Sequence, residues 1–205
     1  MARDTQSIVK MSRREGYALH PKALKAMVKR STIPGQHGRN NRRATTSQYS
    51  LQLREKQKVK RLYGLLERQF SNLMAEANRK QGQSGAILLE LLERRADNAV
   101  YRAGFAPSRR AARQLMTHGH FMLNGRRVDI PSIRLKAGDV LVVRPKSQTT
   151  EYFKKLDEVS PAGDLTVSWL KANRKKFEIT VTGVPTREEA EPEINEQLIV
   201  EYYSR

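Results

Sequence analysis

The chain has no cysteine among its 205 residues, which excludes a disulfide framework and thiolate metal or redox chemistry. Aromatic residues make up only 6%, with one tryptophan. That residue, Trp169, reads as core filler rather than as a platform for stacking bases. No apolar run is long enough to cross a bilayer, and the N-terminus lacks the apolar core of a secretion signal. There is also no lipidation signal, and no basic amphipathic helix with an aromatic-rich face. A soluble cytoplasmic protein with no membrane partner is expected.

Acid is scarce as well, but only in part of the chain. The net charge is +18, which calls for a polyanionic partner. Residues 1–50 carry 11 Lys/Arg against 2 acids, and residues 92–146 carry 12 against 4. Residues 147–205 reverse the balance, with 8 against 11. The polyanion should therefore meet the first three quarters.

Residues 94–144 hold the clearest local signals. A short helix should end at Gly104, and Ser108 should cap a second helix that stops at Gly119. Asn124-Gly125 between 120–123 and 126–130 is a hairpin signal. A further strand over 140–143 follows the Gly138-Asp139 turn. On the second helix Ala111, Ala112, Leu115 and Met116 share one side, and Arg109, Arg110, Arg113, Gln114 and Thr117 share the other. Solvated helix faces usually mix charge signs. This one holds three arginines and no acid, with Arg126 and Arg127 just beyond the hairpin turn, as a face laid on nucleic-acid phosphates would.

Elsewhere the signals are coarser. Residues 1–47 are basic, poor in apolar side chains and broken by Pro21, Pro34, Gly35 and Gly38. A helix over 22–30 could bury Leu24, Met27 and Val28. The remainder should be an extended arm, mobile until RNA orders it. Residues 50–78 are helical by spacing and broken at Gly64, with Arg54, Lys56, Lys58, Lys60 and Arg61 as a second basic surface and Arg42 and Arg43 preceding it. Ser84 should cap a helix whose Leu88, Leu89, Leu91 and Leu92 are core. Later come a short helix over 151–156, a loop at 161–164, a strand over 176–181 and an acidic linker from 184. The last residues fit a strand or a helix capped by Asn195, and helix is preferred.

The run R-x-D-N-x-V-Y-R-x-G-F, then S-R-R-x-A-R-Q-L, H-G-H-x-x-x-N-G-R-R-V and G-D-x-L-x-V resembles the small RNA-binding module named after small ribosomal subunit protein four. The module also occurs in some pseudouridine synthases, tyrosyl-tRNA synthetases and a ribosome-rescue protein. The likeness extends further, through S-R-R-E-G, P-G-Q-H-G, L-R-E-K-Q-K, Y-G-x-x-E-R-Q-F and N-E-Q-L-I-V-E-Y-Y-S-R, in the family's order. The whole chain is thus similar to the bacterial protein-four family. The synthases and synthetases would each need a catalytic domain, for which there is no room.

The resemblance implies an α+β fold. Residues 1–47 would be a basic extension, 48–93 with 184–205 a helical domain, and 94–183 an antiparallel-sheet and helix domain containing the module at about 94–150. It further implies a structural, non-enzymatic component of the small ribosomal subunit. Such a protein binds small-subunit ribosomal RNA at a junction in the 5′ domain, starts assembly and bears on accuracy. Ribosomal proteins five and three and messenger RNA at the entry path would be neighbours, and no small-molecule substrate or cofactor is expected. A trans-acting RNA regulator or a rescue factor using the same module is the alternative reading.

Many relatives hold zinc near the N-terminus through four cysteines. Val9 and Ser12 stand in the first two places here, so no metal is expected, and RNA and neighbouring proteins should order this region instead. His20, His37, His118 and His120 are too scattered for a replacement site.

The RNA-binding residues expected are Arg109, Arg110, Arg113, Gln114, His118, Asn124, Arg126 and Arg127, with Arg42, Arg43, Arg54, Lys56, Lys58 and Arg61 as secondary contacts. Their task would be to grip phosphates, because A-form RNA hides its base edges. Only one of Arg126 and Arg127 should face RNA, since adjacent residues in a strand alternate. His118 and His120 flank Gly119 at the helix-to-strand turn, and one should face RNA and the other the interior. Asp97 is expected to hold arginines in place rather than catalyse. Glu188, Glu189, Glu191 and Glu193 could face a basic protein or mark the edge of the RNA footprint.

Overall fold

The computed structural model describes residues 4–36, 38, 47–161 and 167–204. They form two compact units, Met1–Ile87 with Glu193–Arg205, and Leu88–Pro192. The expected divisions at 93/94 and 183/184 move to 87/88 and 192/193. The acidic segment belongs with the second unit because its acids bond there. Glu189 accepts from the Ser168 and Thr186 N–H groups at 2.6 and 3.0 Å.

The first unit is helical: α1 (Ile8–Glu15), α2 (Pro21–Lys29), α3 (Gln48–Leu62), α4 (Glu67–Arg79), the start of α5 (Ser84–Glu93) and the C-terminal α11 (Glu196–Tyr203). Helix α1 was not expected. It forms inside the supposed arm because Met11 and Ser12 bury, and the Ser12 hydroxyl donates to the Ile8 carbonyl while accepting from the Leu19 N–H. On α2, His20 Nδ1 accepts from the Lys22 N–H at 2.9 Å, and Pro21 occupies the first turn. The helix turns Ala23 inward and leaves Leu24 and Val28 exposed, which reverses the expected burial of the latter two. The apolar residues alone did not reveal which face α1 would cover.

The break at Gly64 is real, at φ 66° between α3 and α4. Helix α11 is capped by Asn195, whose Oδ1 accepts from the Gln197 N–H. It lies on α3 through Gln52 Nε2 to Glu201 (2.8 Å), and through Tyr49 and Tyr202 with centroids 5.8 Å apart.

The second unit contains the end of α5, α6 (Ala96–Arg102), α7 (Arg109–Thr117), β1 (Phe121–Leu123), β2 (Arg126–Val128), β3 (Val140–Val143), the short helices α8 (Pro145–Gln148), α9 (Glu151–Lys154) and α10 (Leu156–Val159), then β4 (Leu170–Asn173) and β5 (Glu178–Val181). The strands make one antiparallel sheet in the order β2-β1-β3-β5-β4, so the fold is α+β. Strand β4 escaped the sequence reading. It is fixed by pairing with β5, and its Lys171 and Asn173 face water. Phe105, Phe121, Phe153, Trp169, Leu141 and Ile179 fill the space beneath the sheet with Ala112, Leu115 and Met116 of α7. Phe121 meets Phe105 and Phe153 edge-on at 6.3 Å. Each such ring, fully buried, is worth about 2–3 kcal/mol, so the sheet and the apolar side of α7 are held as one body. The loop expected at 161–164 falls largely outside the described residues.

Candidate RNA interface

Local chemistry sets α7. The Ser108 hydroxyl accepts from the Ala111 N–H at 3.2 Å, satisfying one of the free donors at the helix start. The helix ends into Gly119 at φ 69°, where a β-carbon would lie 2.7 Å from Arg127 Nε. Glycine thus serves twice, reversing the chain and letting the Arg127 guanidinium lie against the end of α7. The hairpin turn has positive φ at both Asn124 (48°) and Gly125 (82°), as a primed turn requires.

Burying Ala112, Leu115 and Met116 leaves Arg110, Gln114, Thr117 and His118 exposed on the opposite side. Arg113 is half-buried, and burial pushes its guanidinium below the usual range while Asp97 pulls it back. Across the hairpin Arg126 pairs with Leu123 and Arg127 with Met122, so the two arginines leave the strand on opposite faces. Both are exposed, and Arg127 is the one beside Gly119. The histidines also part. His118 is exposed, whereas His120 is half-buried, with Nδ1 3.0 Å from the Ser147 hydroxyl and its ring edge-on to Phe153 at 5.9 Å. Burial pushes the His120 imidazole below its usual range, helped by His118 and Arg144.

Two of the expected contacts work inside the protein. Asn124 Nδ2 donates to Asp139 at 2.9 Å and its Oδ1 accepts from the Val140 N–H at 2.9 Å, tying the hairpin to β3. Arg109 donates through Nε to Asn98 at 2.9 Å and through Nη2 to Glu191 at 2.8 Å, and lies 4.6 Å over the Tyr101 ring. Asp97 does hold an arginine. Its carboxylate takes Arg95 at 3.0 and 2.9 Å, with both side chains buried.

The four secondary contacts in the first unit are likewise engaged by their own chain. Arg54 and Arg61 converge on Glu15, whose side chain has no exposure. Burial raises the Glu15 carboxyl despite the pull of both arginines. Lys56 is 3% exposed, bonded to Glu67 at 2.6 Å and lying 4.4 Å over the Tyr202 ring. Lys58 bonds Glu55 at 2.8 Å and the Glu193 carbonyl at 2.8 Å. Helical spacing displayed these cations as a basic surface, but each meets a carboxylate, Glu15 or Glu67 through the fold and, for Lys58, Glu55 of the same helix. Arg42 and Arg43 lie outside the described residues.

The sequence reading missed Glu93, Asn98, Arg102 and Glu191 as partners of this region. Opposite charges packed into 93–102 were a signal, but Glu191 lies 82 residues from Arg109 and gave none. Two acids of the segment expected to face a basic protein or to mark the edge of the RNA footprint are bonded within their own unit, Glu189 to Ser168 and Glu191 to Arg109. Among the described residues no His, Asp and Glu side chains gather as a metal-ligand group, and no helix is long and apolar enough to cross a membrane.

Fold and surface together define a class, an α+β protein with a cationic helix-and-hairpin face suited to a nucleic-acid backbone. Comparison with known proteins narrows the class to a family. Residues 3–93 match the ribosomal protein S4/S9 N-terminal domain, and residues 94–141 match the S4 domain, which spans α7 and the hairpin. Over the full length of both chains, the protein is 50% identical to small ribosomal subunit protein uS4 of Chloroflexus aurantiacus and 51% identical to that of Clostridioides difficile. It is 46% identical to protein uS4A of Symbiobacterium thermophilum, again over the full length of both. The chain belongs to the uS4 family of small ribosomal subunit proteins.

Proposed function

We propose that the chain is a structural component of the small ribosomal subunit that holds small-subunit ribosomal RNA on the outer face of α7 and the adjoining hairpin. The observation that carries this reading is the exposed set Arg110, Gln114, His118 and Arg127 on a rigid apolar base, within the matched S4 domain. Arg110, Arg113 and Arg127 take phosphate oxygens, while Gln114 and His118 fix orientation by hydrogen bonds. Arg126 lies at the rim. Asn124 acts indirectly, by tying the hairpin to β3, while Arg54, Lys56, Lys58 and Arg61 hold the first unit together.

The finer role follows the resemblance. The RNA site is a junction in the 5′ domain, bound early in assembly, and the protein bears on decoding accuracy. Ribosomal proteins five and three and the messenger entry path are its neighbours in the cytoplasmic ribosome. No catalytic step and no metal belong to this role, and the basic extension of residues 1–47 adds to the footprint. A free-standing regulator or rescue factor is less well supported, because the full-length relatives are named as subunit proteins.

The test is binding to the isolated 5′ domain of small-subunit ribosomal RNA and to a scrambled RNA of equal length across a salt series. Wild type is compared with Arg110→Ala/Arg127→Ala. Selective binding that the double variant weakens on the 5′ domain is expected. Equal, salt-sensitive binding to both RNAs would reduce the interaction to counterion release and overturn the specific reading.

A further inference from the structure

Arg109 opens the basic helix, yet it does not stand with Arg110 in solvent. Its guanidinium belongs to a closed ring of side chains within the second unit. Glu93, at the end of α5, accepts from Arg102 at 3.1 and 2.9 Å and from Asn98 Nδ2 at 2.7 Å. Asn98 Oδ1 accepts from Arg109 at 2.9 Å, and Arg109 donates to Glu191 at 2.8 Å. Glu191 closes the circuit, 3.5 Å from Arg102. Two arginines and two glutamates balance in charge, and the Arg109 side chain is 12% exposed. A phosphate reaching Arg109 would have to displace both Asn98 and Glu191.

We propose that Arg109 and Glu191 are positioning residues for RNA binding. The ring clamps the first turn of α7 to α5, α6 and Glu191, and so fixes the helix that carries Arg110, Gln114 and His118. This rests on the RNA-binding reading above. An alternative role for Glu191 is to mask Arg109 until RNA takes its place. The geometry speaks against masking, because Arg109 is also held by Asn98 and by the Tyr101 ring, and Glu191 also faces Arg102. Removing a mask would leave Arg109 where it is, whereas removing a clamp member loosens the helix.

The two roles predict opposite signs. Glu191→Gln adds one positive charge, so simple electrostatics requires tighter binding to RNA with a steeper salt dependence. The clamp requires weaker binding, by about tenfold for a coupled network of charged hydrogen bonds, at the wild-type salt slope. Asn98→Ala changes no charge and should weaken binding in the same way. Arg110→Ala, a direct phosphate contact, should instead flatten the slope by roughly 0.7–0.9. Full-length proteins are titrated with the 5′-domain RNA over a potassium chloride series, at a temperature where melting curves show each folded.

Loss of affinity at constant slope in Glu191→Gln and Asn98→Ala, against a changed slope in Arg110→Ala, supports the clamp, provided the melting curves show both variants fully folded at the titration temperature, which separates it from general destabilisation. Tighter binding by Glu191→Gln overturns it, as does a slope in Arg109→Gln that flattens as in Arg110→Ala. If Glu191→Gln does not fold, Asn98→Ala and Arg109→Gln decide. Failure of wild type to prefer the 5′ domain over scrambled RNA would count against the functional reading alone, because the slope comparison can be made on either RNA.

Discussion

Helices α3 and α7 are both rich in cations, but they use them in opposite ways. Along α3, Arg54, Lys56, Lys58 and Arg61 each meet a carboxylate of the first unit, and Lys56 is buried. On α7, one arginine is tied inward to Glu191, while Arg110, Gln114 and His118 remain exposed beside Arg127. The difference lies in where the acids are. Helix α3 carries Glu55 itself and meets Glu15 and Glu67, whereas α7 has no acid of its own. A basic helix offers a surface to a nucleic acid where the fold leaves its polar side exposed rather than packed against carboxylates.

Four experiments would break or sharpen that contrast, from the largest effect to the smallest. Reversing two exposed charges, Arg110→Glu/Arg127→Glu, should lower affinity for the 5′-domain RNA roughly hundredfold while leaving the melting temperature near wild type. Filter binding and a thermal melt read both, and a variant that binds as wild type would move the interface elsewhere. In α3 the effect should appear in stability instead. Lys56→Ala should cost about 2 kcal/mol in urea unfolding, below the range for a fully buried pair because Glu67 is half-exposed. Its RNA salt slope should stay unchanged, and a flatter slope would make Lys56 a phosphate contact after all.

A smaller loss, about 1 kcal/mol, is expected for Ser108→Ala, which removes the cap of α7. Chemical denaturation read by circular dichroism would detect it, and no change would mean that packing alone sets the helix start. The last effect is one of pH. Burial pushes the Glu67 carboxyl up, but hydrogen bonds from Lys56, Lys60 and Tyr203 hold it down to about 2, below its usual 4.5. A carboxyl lowered in the folded state stabilises it above about pH 4.5, and that contribution fades as pH falls toward about 2. Urea midpoints measured down this range should fall less steeply for Glu67→Gln, and identical profiles would remove Glu67 from the account.

What could be read from the sequence was local. Ser108, Gly104, Gly119 and Asn124-Gly125 act within a few residues of themselves, so the helix starts, stops and hairpin turn were visible before any packing. Assignments that depended on a distant partner were not. Leu24 and Val28 looked like the buried side of α2 because nothing nearby says that α1 would cover Ala23 instead. Strand β4 has little apolar pattern of its own and exists through β5. The division of labour between Arg109 and Arg110 depends on Glu191, and the inward turn of the α3 cations on Glu15 and Glu67. The sequence marked the basic face, and the fold ties Arg109 inward and leaves Arg110, Arg126 and Arg127 exposed.

The pairing of α3 with α11 also orders events in time. Residues 88–192 form a contiguous unit, complete once they have been synthesised, whereas the first unit needs both ends of the chain. Gln52 meets Glu201, and Asn195 meets Glu55, across 149 and 140 residues. Contacts at such separations close late, and domains generally fold as units during synthesis. The RNA-facing module can therefore mature on the growing chain while α3 still waits for its partner. A chain that terminates before residue 193 would carry a finished module joined to an unfinished helical half.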